Sequence, residues 1–91
     1  MATLELTKAT EINGETVTSI EYDLESLTGK DSAQAIADLS KKGIIVAMTE
    51  FDQNYHVAMF AIAAGLSIED VQRLCVKDYQ KACNAVRDFF M

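Results

Sequence analysis

The sequence predicts an α+β domain: an N-terminal two-stranded β-hairpin, residues 3–24, followed by about four α-helices packed on one face. Three observations carry this. Apolar and polar residues alternate with a period of two as far as Leu24. From Asp31 onward the apolar spacing changes to three and four, the period of a helix. Ninety-one residues suffice for one domain, 1–91, and no proline-rich or low-complexity linker divides them.

In the first strand Leu4, Leu6 and Lys8 alternate with polar positions, and in the second Thr18, Ile20, Tyr22 and Leu24 do the same. Asn13-Gly14 marks the turn between them. A two-residue loop there would pair Ile12 with Glu15, hence Leu6 with Glu21, and turn Ile20 and Tyr22 to the wrong face. A three-residue loop of Ile12, Asn13 and Gly14 instead sets Glu11 opposite Glu15, Leu6 opposite Ile20 and Leu4 opposite Tyr22, with Gly14 left-handed. A lone hairpin is marginal in water, so this one must lie on helices.

The first helix is expected over about 31–42. Asp31 is placed to cap it with Gln34 three residues on, Ile36 and Leu39 face inward, and Lys41 and Lys42 suit its negative end before Gly43. The short β-branched run "IIVAM" reads as a buried extended segment. Residues 52–64 form a second helix, apolar on most sides after Asn54 and therefore central or covered by a neighbour, and Gly65 ends it. Ser67 with Asp70 caps a short helix over 67–74. The last helix, 77–90, carries Tyr79, Cys83, Val86 and Phe90 at spacings of four, three and four, and Phe89 widens that stripe.

Composition narrows the function classes. The net charge is −6, and the first 42 residues hold eight acidic against four basic side chains, so phosphates are repelled and nucleic acid is not a partner. The longest apolar runs, "GIIVAM" and "VAMFAIAAGL", fall far short of the roughly 20 residues that cross a bilayer, so no membrane is involved. The opening "MATLELTKAT" lacks the form of a secretory signal, which points to a cytoplasm. Cys75 and Cys83, eight residues apart, would lie about 12 Å apart along one helix and are expected as reduced core residues.

Chemistry is sparse. His56 is the one histidine, and with Cys spaced C-x7-C it does not supply the four ligands of a zinc site. Asp52 and His56 lie one helical turn apart and could serve Cys75 or Cys83 as nucleophile, yet no local signature surrounds either cysteine. The four glycines are scattered, so there is no phosphate loop, and neither a catalytic residue nor a cofactor is expected. Asp31-Ser32 has the local form of the acyl carrier attachment site, making a small acidic carrier or adaptor acting through Ser32 the alternative function. A hairpin replaces the helix that precedes that serine in carriers, and Ala33 stands where they have leucine. Surfaces remain. A two-stranded sheet and a few helices do not easily enclose all of the large apolar side chains, and the chain finishes on Phe89-Phe90-Met91. Val86, Phe89, Phe90 and Met91 are the expected partner contacts, followed by Tyr55, Met59 and Phe60.

The hairpin "EINGETVTSIEY", the helix "YHVAMFAIAAGL" and the closing pattern of Leu74, Lys77, Asp78, Tyr79, Val86, Arg87, Asp88, Phe89 and Phe90 together resemble the small tail assembly chaperones of Mu-like and related temperate tailed phages and prophages, from about Leu4 to Phe90. The resemblance implies a non-enzymatic factor in the host bacterial cytoplasm that binds the helix-rich tape-measure protein. Such a factor assists assembly of the tail tube and is absent from the mature virion. It also implies a homo-oligomer and, in many relatives, a longer frameshift product of the same gene, to which a chain stopping on apolar residues would correspond.

Overall fold

The structure is a computed structural model that describes residues 2–44 and 52–90, the last as backbone alone. Strands β1 (Ala2–Ile12) and β2 (Glu15–Tyr22) form an antiparallel pair. Four helices follow: α1 (Gly29–Lys41), α2 (Gln53–Ala64), α3 (Ile68–Gln72) and α4 (Val76–Phe90). The fold is thus α+β, with a hairpin laid against helices.

The turn differs from the expected three-residue loop. Ile12 pairs directly with Glu15, leaving Asn13 and Gly14 as a two-residue loop with φ of 54° and 82°. Two consecutive positive φ values match the right-handed twist of the flanking strands, and asparagine and glycine tolerate them best. The correction of register lies further along. Leu4 faces Ile20 and Ala2 faces Tyr22, whereas near the turn Thr10 faces Val17. Between Glu5 and Thr10 the first strand spends residues 6–9 where the second spends only Thr18. A bulge of net three residues is an odd shift, so it swaps which side of β1 meets the apolar side of β2. Leu4, Ile12 and Ile20 all end in the core.

The cap of helix α1 lies three residues before the expected one. Thr28 is the N-cap, and Asp31, inside the first turn, accepts the Thr28 backbone N–H at 2.9 Å. Gln34 has no capping role and donates to Asp38, one turn on, at 2.8 Å. Helix α2 is capped by Asp52, whose carboxylate accepts the Asn54 N–H at 2.8 Å. It ends at Gly65, left-handed at φ 72°, with the Leu66 N–H bonded to the Ala61 carbonyl at 2.8 Å. Ser67 and Asp70 exchange the two reciprocal bonds of a capping box on α3. Of the extended segment expected after α1, only Ile44 falls among the described residues, packed at the edge of the core.

The centre is α2. Its seven residues from Tyr55 to Ala61 are all buried, as an all-round apolar helix requires. It touches α1, α3, α4 and β2, and β1 packs on α4. Phe60 is fully enclosed, its ring 4.9 Å from that of Tyr22 on β2. Leu39, Val57, Val71 and Val86 are the other large apolar side chains that are fully buried.

Candidate functional site

The expected contact residues divide between core and surface. Val86 and Phe60 are wholly buried in this chain's own core. Phe89, one helical step beyond Val86, stands out at 48% exposure in the last turn of α4. Beside it run two shallow grooves that share Phe89 and Leu24 as walls. One passes between α4 and the start of α1, with Leu27, Tyr55 and Met59 along it, so these two buried side chains still form part of an apolar floor. The other passes toward β2 and is lined by Tyr22, Ala85 and the carboxylate residues Asp23, Glu25 and Asp88. The backbone that shapes this wall is fixed: the Asp23 N–H bonds the Ala63 carbonyl at 3.1 Å, and the Leu27 N–H bonds that of Leu24 at 3.2 Å. Phe89, Tyr55 and Met59 therefore come together in one place, while Val86 and Phe60 belong to the core. The side chains of Phe90 and Met91 lie outside the described residues.

A second constellation escaped the sequence reading. Asp78 is fully buried in the first turn of α4, and it holds the β1 bulge. Its carboxylate accepts the Thr7 N–H at 2.9 and 3.1 Å, the Thr7 hydroxyl at 3.0 Å and the Lys8 N–H at 3.3 Å. The Cys75 thiol donates to it at 3.1 Å, and the Lys81 ammonium stands 3.9 Å away. Burial pushes the acid upward. The donors from Thr7, Cys75 and Lys8 outweigh it and bring the carboxyl down to about 2. The bulge leaves N–H groups without strand partners, and an ionised carboxylate is the acceptor able to take several of them. The signal was present in the spacing: Asp78, Ala82 and Val86 lie four apart and are the innermost row of α4.

The family model described as "Phage tail assembly chaperone proteins, E, or 41 or 14" matches residues 3–91, nearly the whole chain. The chain belongs to this family of phage tail assembly chaperones. Neither the curated proteins nor the solved structures gave a match.

The positions considered for chemistry have structural employment in this tail assembly chaperone. His56 and Cys83 are both buried and line one cleft with Gln53 and Arg87. Burial pushes the Cys83 thiol up, against formation of a nucleophilic thiolate, and the Asp52 carboxylate is engaged as a helix cap. Cys75 is half-buried, and neither thiol is part of a disulfide. Ser32 is half-buried in α1 with its hydroxyl hydrogen-bonded to that of Tyr55, which ties the two walls of the groove together. Among the described residues no group of His, Cys, Asp and Glu could hold a metal ion, and no helix is long and apolar enough to cross a membrane.

Proposed function

We propose that this tail assembly chaperone binds the tape-measure protein, keeps that long helical chain soluble in the bacterial cytoplasm and hands it to the assembling tail tube. It leaves before the virion is complete and performs no catalysis. The observation that carries the reading is Phe89, exposed at the end of α4 over the Leu27–Tyr55–Met59 floor. A large aromatic beside a preformed apolar groove suits the apolar stripe of a client helix. Each contact of this size is weak, so several copies of the chain act together, and their avidity holds a client that single contacts release. A longer frameshift product would add length beyond α4 to some of these copies. The net charge of −6 keeps such an assembly in solution.

Co-expression with the tape-measure protein of the same phage tests the reading. The client is expected in the soluble fraction with the wild-type chain and in the pellet without it. If the wild-type chain leaves the client insoluble and does not co-purify with it, the proposal fails. Light scattering across a range of concentrations tests the oligomer, which should grow with concentration.

A further inference from the structure

The grooves of the fold differ in charge. The one between the end of α1 and α3 is balanced, with Asp38 and Glu69 against Lys41 and Lys42, and Lys42 is already paired with Glu69. Among the described residues, the groove between β2 and the end of α2 has Glu21 as its one charged residue, and the cleft beside His56 has Arg87. The groove between Phe89 and Tyr22 has three carboxylates, Asp23, Glu25 and Asp88, and no basic side chain among the described residues. Leu24 and Phe89 also line the second groove, whose lining among the described residues carries no charged side chain. The result is an apolar track, acidic at one end only. The carbonyls at the C-terminal end of α4 add partial negative charge at that same end.

We propose that this track is the client site and that its occupant is an amphipathic helix whose apolar stripe is flanked by lysine or arginine at one end. This deepens the client-binding reading above and rests on it. The apolar stripe covers Phe89, Leu24 and the Tyr55–Met59 floor, while the basic end meets the three carboxylates. Charge complementarity of this kind sets the orientation of the helix and its rate of arrival more than its final affinity. A second copy of this chain is a poor occupant. Two-fold packing of this face on itself would oppose three carboxylates to three, in a chain already carrying −6.

The test uses the full chain and two fluorescein-labelled helical peptides, one of leucine and lysine and one of leucine and glutamate, followed by anisotropy at physiological salt. One variant combines Asp23→Asn, Glu25→Gln and Asp88→Asn. A control combines Glu5→Gln, Glu11→Gln and Glu15→Gln, removing the same charge from exposed hairpin positions. Circular dichroism checks both folds. The lysine peptide is expected to bind and the glutamate peptide not to. The groove variant should weaken binding about tenfold and the control less than about threefold. Amide shifts on titration should centre on residues 22–29, 55–59 and 85–89. Equal weakening by the two variants or shifts centred elsewhere would each overturn the site. The client is a separate arm. If the groove variant together with Phe89→Ser still keeps the tape-measure protein soluble, the site is wrong and the chaperone reading survives. Failure of the wild-type chain removes the reading itself, whatever the peptides do.

Discussion

Asp78 shows how one side chain settles a question that strand alternation leaves open. The apolar pattern demands a change of register, and its natural place from sequence is the turn, where one extra loop residue suffices. The chain instead keeps the Asn13-Gly14 turn and places the irregularity at residues 6–9, where Asp78 supplies the acceptor for Thr7 and Lys8. Nothing local to the first strand reveals this, because the partner lies 71 residues away. The carboxyl is held at about 2, below the ordinary aspartate value of 3.8. The stabilisation it gives is therefore complete above about pH 4 and is lost as the pH falls from there toward 2. Urea midpoints at pH 7 and pH 3 should differ more for the wild type than for Asp78→Asn, and the variant should be the less stable at pH 7. Cys83 gives a second residue-level expectation. Its buried, upward-shifted thiol should react with iodoacetamide only on unfolding, as mass spectrometry of natively and urea-treated protein would reveal.

At the level of elements, the helices were legible because each carries its period and its punctuation. Helix α2 follows from an unbroken apolar run between Asp52 and Gly65, and α3 from the Ser67–Asp70 pair. The cap of α1 sits three residues before the one the sequence suggests because Thr28 and Asp31 form the same cap-and-return pair as Asp31 and Gln34 would. The choice falls to Thr28, whose N–H finds the Asp31 carboxylate. The stop at Gly65 carries a measurable consequence. An alanine there must adopt φ near 72°, so Gly65→Ala should lower stability by about 1 kcal/mol in chemical denaturation, although no neighbouring atom obstructs the added methyl.

For the molecule as a whole, the α+β order of hairpin and helices follows from the sequence, whereas the division of the aromatics between core and surface does not. Periodicity puts Val86, Phe89 and Phe90 on one stripe. Only the three-dimensional packing separates a fully enclosed Val86 from a half-exposed Phe89, because that depends on where α2 and the β2–α1 loop end. Phe60→Ala should cost about 3–5 kcal/mol and leave little folded protein, while Phe89→Ser should stay within about 1 kcal/mol of the wild type. Thermal melts followed by circular dichroism would separate the two. The Asp78 bond to Thr7 also dictates an order of events at the ribosome. A strand made among the first residues has no protein acceptor for its bulge until Asp78, in the first turn of α4, has been synthesised. The hairpin must wait, and a nascent chain broken off before Asp78 exposes an unanchored strand pair, a ready substrate for the proteases of the host.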